Sequence, residues 1–225
     1  MLGSYKVKIV HLLCRPEQQR EQRSVADLTP LREHGFDYLA HFNAPYKDKP
    51  PVEHCRRPEA VTDQPGVPGQ LWCGHYGAFL AWRRAVETEF DSDFLMICEC
   101  DCVLLVDHAT FAAEVKDACG YMMESGVVYL SFGNVDTKEE EKSPGKYTVV
   151  RGIFKSHCVI FPKSIKDYMV GCYDTHPWDN DDFWKNWIFK DHKIAITNKT
   201  LAVQLGHSLI DEVYDRPKVN LIKAL

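Results

Sequence analysis

The sequence predicts an α/β fold in which helices flank a mixed, largely parallel sheet. In the first half of the chain, short runs rich in Val, Ile and Leu alternate with longer segments of helical spacing, the pattern typical of parallel strands joined by helices. In the second half the order of strands and helices becomes mixed. We see no internal repeat and no linker, so residues 1–225 are predicted to form one domain.

The first elements alternate strand, helix and strand. Residues 5–13 read as a strand, and Pro16 suits the first turn of a polar helix over 16–28. Gly35 closes a second, short helical piece, and residues 36–42 follow as the second strand.

The middle of the chain contains the longest predicted loop and helix. A proline-rich stretch over 43–69 predicts a loop of unusual length, which in a compact domain is usually functional or disordered. Residues 70–89 have helical spacing and lead into a strand over 94–98. Residues 108–119 fit another helix, and Gly120 is expected to end it.

The later elements follow each other without the regular alternation of the first half. The Lys- and Glu-rich stretch over 134–147 is predicted to be a solvated loop, and Pro162 is expected to begin a helix that ends near Gly171. The other predicted elements are strands over 126–132, 155–161 and 193–197, a helix over 181–189 and an extended segment over 201–206.

Composition excludes several classes of function. The net charge is −5 with both signs interspersed, whereas a nucleic-acid-binding protein needs a basic face. No apolar run is long enough to span a membrane, and the first residues lack the apolar core and cleavage site of a signal peptide. We therefore expect a cytoplasmic protein without a transmembrane segment and without a nucleic-acid partner.

The nine cysteines favour reduced, buried thiols, because their number is odd and several lie in apolar runs. Cys98, Cys100 and Cys102 are expected to share one face of one strand. A structural zinc site is the alternative, although the chain has no CxxC pair. Its ligands would be His54, Cys55, Cys73 and His75.

The segment FLMICECDCVLL (94–105) carries an acidic pair, Glu99 and Asp101, at the end of an apolar run. On an extended segment, two side chains two residues apart point the same way. Carboxylates at the end of a buried strand need a cationic neighbour, and a hard divalent cation carrying a nucleotide diphosphate would provide one. The alternative is a strand that simply stops, with both carboxylates solvated in a turn.

Two further segments carry candidate functional groups. In HPWDNDDFW (176–184), three carboxylates stand between tryptophans, an arrangement that suits sugar binding, although carboxylates before a helix also serve as caps. In QLGHS (204–208), His207 is a candidate metal ligand if it lies opposite the acidic pair, although a lone histidine after a strand is more often structural. The residues of the first segment are Asp179, Asp181, Asp182, Trp178 and Trp184.

The order of these segments resembles a glycosyltransferase of the GT-A (Rossmann-like) fold, and it is most similar to the lipopolysaccharide- and collagen-type galactosyltransferases of family 25. Cys100 stands where that family usually has an aspartate, and Ala81 and Trp82 replace its frequent Ser-His pair. The similar stretches are IVHLLCRPEQQREQR, GHYGAFLAWRRA, ICECDCVL, FKSHCVIFPKSIKDYM, HPWDNDDF and QLGHSLI.

The resemblance implies a metal-dependent, inverting transfer of a hexose, galactose or glucose, from a UDP-sugar to a hydroxyl of a glycan or glycoconjugate such as lipopolysaccharide. The metal, Mn²⁺ or Mg²⁺, would be held by Asp101 with Glu99 and His207. Asp182 is the first choice and Asp181 the second choice for the base that deprotonates the acceptor hydroxyl. Arg15 and Arg20 would contact the nucleotide, and Asp179, Trp178 and Trp184 would contact the acceptor.

Two other classes of protein stay open on the sequence. A metal-dependent nucleotidyltransferase or diphosphate hydrolase would need the same nucleotide, cation and base. A non-catalytic sugar- or nucleotide-binding module is compatible with Cys100 in place of a third acidic group.

Overall fold

The computed structural model describes residues 5–15, 17–43, 69–133, 144–151, 157–175 and 190–205, with the backbone alone for 69–75. In these residues, the four α-helices are α1 (Gln19–Leu28), α2 (Gly69–Glu89), α3 (His108–Ser125) and α4 (Lys166–Thr175). Short 3-10 helices cover Thr29–His34 and Lys163–Ile165. The strands are β1 (Val7–Leu13), β2 (Asp37–Phe42), β3 (Phe94–Cys98), β4 (Cys102–Leu104), β5 (Val127–Ser131), β6 (Tyr147–Val150), β7 (Cys158–Pro162), β8 (Lys193–Thr197) and β9 (Ala202–Gln204).

Seven of these strands form one sheet in the order β2–β1–β3–β7–β5–β8–β6. Strands β2, β1, β3, β5 and β8 run in one direction, and β7 and β6 run against them. Strands β4 and β9 form a separate antiparallel pair. The predicted α/β class with a mixed, largely parallel sheet is therefore confirmed.

Both faces of the sheet are covered, which explains why its central strands are apolar at nearly every position. Alternate residues of a strand serve opposite faces, so Val10 packs into one core and Ile9 into the other. Helices α2 and α4 cover the first face, where the ring of Trp82 meets Phe161 edge-on at 6.4 Å. Helices α1 and α3 cover the second face, with Phe111 fully buried there.

Helix α3 continues past Gly120, so the predicted end at that residue is wrong. Gly120 is buried inside the helix, where tertiary packing outweighs a helix penalty of about 1 kcal/mol. The helix ends instead before Gly126, which has a φ of 73° and donates its N–H to the Met122 carbonyl. Gly171 is likewise inside α4, so the predicted end near that residue is also wrong. The predicted start is confirmed, because Pro162, the last residue of β7, is the N-cap of the 3-10 helix that leads into α4.

The last residue of the predicted loop over 134–147 is the first residue of a strand. Tyr147 begins β6, which lies at the edge of the sheet and pairs antiparallel with β8, starting from the Tyr147–Thr197 pair. The strand is short and its flanking sequence is highly charged, so it gives little periodic signal. Two other predictions, the loop over 43–69 and the helix over 181–189, fall almost wholly outside the described residues.

None of the described helices is long and apolar enough to cross a bilayer.

Candidate functional site

The order of the strands identifies a place where a ligand can bind. Strand β1 has β2 on one side and β3 on the other. The connection after β1 therefore leads to its neighbour on one side, and the chain later adds β3 on the other side. In open α/β sheets, ligands bind outside the carboxyl ends of the strands at such a switch point. The segments at this point are Cys14 and Arg15 after β1, and Glu99 to Asp101 after β3.

The acidic pair lies in a turn. Strand β3 ends at Cys98, and the N–H of Cys102 donates to the Glu99 carbonyl at 3.0 Å, which closes the turn. The expectation that Glu99 and Asp101 share one face of one strand is therefore wrong, since strand alternation stops at Cys98. For the same reason, Cys98, Cys100 and Cys102 do not share one strand: they belong to β3, the turn and β4.

The carboxylate of Asp101 is a buried acidic group of this turn. The residue is only 3% exposed, and its Oδ2 accepts a 2.9 Å hydrogen bond from Nε2 of Gln204. Its Oδ1 is buried and has no hydrogen-bond partner among the described residues. Burial raises the pKa of this carboxyl to about 6, although the hydrogen bond from Gln204 and the charge of Arg20 oppose the shift.

Strand β9 and the residue after it form hydrogen bonds with the acidic turn. Gln204 is paired with Cys102 in the two-stranded sheet, which brings its amide to Asp101. The N–H of Leu205 donates to the Asp101 carbonyl at 2.8 Å. The QLGHS segment therefore contacts the acidic turn through Gln204 and Leu205. From the sequence, only His207 of this segment was a candidate for such a contact.

Arg20 and Arg15, the two predicted nucleotide-binding residues, lie on the α1 side of this site. Arg20 is half-buried, its charge lowers the pKa of Asp101, and its Nε has no hydrogen-bond partner within the described part of the chain. Arg15 is exposed in the loop that follows β1. Both arginines are thus at the end of the sheet that carries Asp101.

Glu21 shapes the loop after β1, a role that sequence reasoning missed. Its side chain is 1% exposed and accepts the N–H of Cys14 at 3.1 Å. It also accepts the N–H of Arg15, at 2.9 Å from each carboxylate oxygen. An acidic residue in the first turn of a helix is common for reasons of helix polarity, so the sequence alone gives no signal of this function.

A buried polar chain joins α1 to the residue after Asp101. The Ser24 hydroxyl donates to the Cys102 carbonyl, so its oxygen must accept from Nε2 of His11, which lies 3.0 Å away. Nδ1 of His11 then accepts from the Tyr38 hydroxyl at 2.9 Å. Burial lowers the pKa of His11 to about 4, which keeps the ring neutral as this arrangement requires.

The structure thus brings four predicted site residues to one end of the sheet: Asp101, Glu99, Arg20 and Arg15. The other predicted residues lie outside the described part of the chain; they are Asp179, Asp181, Asp182, Trp178, Trp184 and His207. The alternative zinc ligands also lie beyond the described side chains; they are His54, Cys55, Cys73 and His75.

The donor set of the turn fits a hard divalent cation. Such ions prefer carboxylate oxygens, and the Oδ1 of Asp101 is a buried carboxylate oxygen that no described residue satisfies. Glu99 supplies a second carboxylate, half-buried, in the same turn.

Replacing Gln204 with Leu should destabilise the protein at neutral pH, because the buried charge of Asp101 would lose its hydrogen bond. Bonds to charged groups contribute about 1–3 kcal/mol, so we expect a loss of that size in urea unfolding at pH 7 in the presence of EDTA. Gln22→Leu, on the exposed side of α1, is the control and should change stability much less. Equal losses in the two variants would mean that the Gln204 amide does not support the carboxylate.

Comparison with known proteins establishes the fold. No protein-family profile and no curated protein sequence matches the chain. A glycosyltransferase involved in the glycosylation of the major capsid of PBCV-1 is 8% identical, covers 92% of this chain and 96% of its own, and has a TM-score of 0.51. UTP-bound UGPase from Acinetobacter baumannii is 10% identical, with 95% of each chain covered and a TM-score of 0.53.

A second structure from Acinetobacter, UDP-glucose pyrophosphorylase, is 9% identical, covers 90% of this chain and 87% of its own, and has a TM-score of 0.51. At these identities the similarity concerns the backbone fold. The chain has the α/β, Rossmann-like fold that these enzymes also have.

Proposed function

We propose that the protein is a nucleotide-sugar-dependent hexosyltransferase that acts with a divalent cation held by Asp101. The observation that carries this proposal is the buried Oδ1 of Asp101 at the switch point of the sheet, which has no hydrogen-bond partner among the described residues. Two similarities support the proposal. The backbone is similar to that of a glycosyltransferase and of UDP-glucose pyrophosphorylase, and the sequence motifs resemble family 25. We propose galactose or glucose as the sugar and UDP as its carrier.

The residues around Asp101 prepare the donor half of this site. Mn²⁺ or Mg²⁺, when bound, would offset the negative charge that gathers on the departing diphosphate. Gln204 fixes Oδ2 of Asp101, and no described residue bonds to Oδ1, while Glu99 adds a carboxylate from the same turn. We propose His207 as a further ligand, because it follows by two residues Leu205, whose N–H donates to the Asp101 carbonyl.

On the other side of the switch point, we propose that Arg20 and Arg15 contact the nucleotide diphosphate. Arg20 has a buried Nε that makes no hydrogen bond to a described residue, so a phosphate oxygen would satisfy it. Glu21 positions the loop by holding the N–H groups of Cys14 and Arg15. These backbone groups are therefore not free to bind phosphate, and we propose the two arginine side chains as donors to it.

The acceptor half of the proposal rests on the sequence. We propose that Asp182, or Asp181 as the second choice, takes the proton of the acceptor hydroxyl, and that Asp179, Trp178 and Trp184 bind the acceptor glycan or glycoconjugate. One base acting opposite the leaving group gives a single displacement with inversion at the anomeric carbon. We also propose a cytoplasmic location, for which the free thiols of the described cysteines are the support.

A nucleotidyltransferase is the second candidate, and the similarity to UTP-bound UGPase favours it, with a TM-score of 0.53. The two activities differ in product. A hexosyltransferase releases the nucleoside diphosphate, whereas a nucleotidyltransferase that forms a nucleotide sugar releases inorganic diphosphate.

The proposal is tested with a thermal-shift panel of UDP-, GDP- and dTDP-sugars with and without Mn²⁺. A donor at a hundred times its Kd stabilises the folded state by about 2.7 kcal/mol, so UDP-hexose should raise Tm by several degrees, and Mn²⁺ should enlarge the rise. Incubation of the best donor with candidate glycans should then release UDP. Release of inorganic diphosphate from UTP and a sugar phosphate would favour the second candidate, and binding without turnover would favour a non-catalytic module.

A further inference from the structure

Three thiols meet in the core beside the acidic turn. Cys98 is the last residue of β3, Cys102 the first of β4 and Cys158 the first of β7. All three side chains are fully buried, and their Sγ atoms lie within 4.8 Å of one another. The Sγ atoms of Cys98 and Cys158 are 3.8 Å apart. These three cysteines form a thiol triad.

The fold explains why these sulfurs converge. Cys98 and Cys158 are direct partners in the antiparallel pairing of β3 with β7. The next pair, Glu99 with His157, is hydrogen-bonded through the 2.9 Å bond from the Glu99 N–H to the His157 carbonyl. Cys98 and Cys158 therefore form a non-hydrogen-bonded pair, in which side chains approach most closely. The turn over 99–101 then returns the chain so that Cys102 reaches the same place.

The spacing suits three sulfurs around one metal ion. Metal–thiolate bonds are about 2.3 Å long, so sulfurs that share an ion lie about 3.8 Å apart at tetrahedral angles and about 4.0 Å apart in a trigonal plane. Thiolates are soft ligands that select Cu(I), zinc or iron–sulfur clusters. Structural zinc almost always has four protein ligands, and within the described residues no further His, Cys, Asp or Glu joins the triad.

We propose that the thiol triad is a binding site for a soft monovalent cation, Cu(I), coordinated by the three sulfurs. This ion accepts low coordination numbers, so a closed site of three sulfurs needs no fourth ligand and no water. The alternative is that three small apolar side chains simply pack together, as free cysteines commonly do in cores.

A cation in the triad would connect β3, β4 and β7. Cys98 and Cys102 flank the acidic turn, so the bound ion would also fix the two ends of the segment that carries Asp101. The proposed site consists of the three sulfurs, and metal binding tests it directly. Failure of this test would not contradict the proposed hexosyl transfer, and failure of hexosyl transfer would not contradict this site.

The test is an anaerobic titration of reduced, EDTA-treated protein with Cu(I) in competition with bicinchoninate, a chromophoric Cu(I) chelator. The wild type should withdraw one equivalent of copper per chain, and Cys158→Ala should lose this binding. Cys119→Ala removes a fully buried thiol of α3 outside the triad and should bind like the wild type. Because single exposed thiols bind Cu(I) weakly, the competitor removes their contribution. Circular dichroism of each variant checks that it folds.

X-ray absorption on the copper-loaded wild type provides a measurement that needs no variant. We expect three sulfur neighbours at about 2.3 Å. The proposal is overturned if the wild type fails to compete, if Cys158→Ala binds as well as Cys119→Ala, or if the spectrum shows nitrogen or oxygen ligands. A parallel titration of wild type and Cys158→Ala with Zn²⁺ against a zinc chelator tests the choice of ion. Tighter binding of zinc than of copper that is lost in Cys158→Ala would overturn Cu(I).

Discussion

Replacing Asp101 with Asn is expected to abolish cation-dependent turnover and, at the same time, to stabilise the cation-free protein at neutral pH. Asn keeps the shape of the side chain and can still accept the hydrogen bond from Gln204, but it removes the negative charge that a hard cation requires. It also removes a buried charge whose Oδ1 has no partner in the described residues. A residue that is important only for folding would not combine these two effects.

The pH dependence of this gain follows from the pKa of Asp101. This pKa is about 6 in the folded protein, above the usual aspartate value of 3.8, so the folded state binds the proton more tightly than the unfolded state. The wild type therefore loses stability as the pH rises from about 4 to about 6, and the full difference of about 2 pKa units corresponds to about 3 kcal/mol. Asn does not titrate, so the advantage of Asp101→Asn should be small near pH 4 and reach its maximum above pH 6.

Urea unfolding from pH 4 to 7.5 in EDTA measures this advantage, and turnover with Mn²⁺ is measured on the same preparations. Asp167→Asn, an exposed carboxylate in the first turn of α4, is the control and should reproduce neither effect. If Asp101→Asn is less stable than the wild type at pH 7, the carboxylate is stabilised by its surroundings and its burial does not signal a cation. Undiminished turnover in this variant would remove Asp101 from the cation site.

The sequence was sufficient to place the acidic pair because the signal is local. Strand β3 is five consecutive buried residues, so its end is visible as the first charged residue, Glu99. The sequence could not show that the chain turns at this point. A run of alternating Cys and acidic residues satisfies the pattern of a continuing strand, whereas in the structure β4 pairs with β9 outside the main sheet.

The supporting residues were not predictable, since each acts on a distant part of the chain. Gln204 contacts Asp101 across 103 positions, and neither residue carries a local motif for that bond. Glu21 looks like an ordinary helix-start residue, although it organises the loop after β1. His11 lies in an apolar strand, and its role depends on Ser24 and Tyr38 being brought to it by α1 and β2.

Helix ends show the same limit. Gly120 and Gly126 both satisfy the sequence rule for a helix stop, but only Gly126 adopts the left-handed conformation that ends α3. Gly120 faces the buried side of the helix, where its small size is compatible with close packing. Tertiary contacts therefore determine which of the two glycines ends the helix, and the local spacing of residues does not show these contacts.

Replacing Asp182 with Asn is expected to reduce kcat by a factor of about 10²–10⁴ while the Kd for the nucleotide sugar changes little. The proposed base acts on the acceptor hydroxyl as the new bond forms, so its loss affects the transition state more than donor binding. Single-turnover kinetics with UDP-hexose and acceptor, combined with calorimetry for donor binding, separates the two quantities. NMR of the product should show an anomeric configuration opposite to that of the donor.

Asp181→Asn is the matched control, because it makes the same chemical change one residue away. If Asp182 is the base, Asp181→Asn should lower kcat far less, and a pH–rate profile should lose its acidic limb only in Asp182→Asn. The reverse pattern would assign the base to Asp181, and equal, small effects would exclude both. Retention of configuration would contradict the proposed single displacement itself. Attack by a deprotonated hydroxyl in one step must invert the anomeric carbon, whichever aspartate removes the proton.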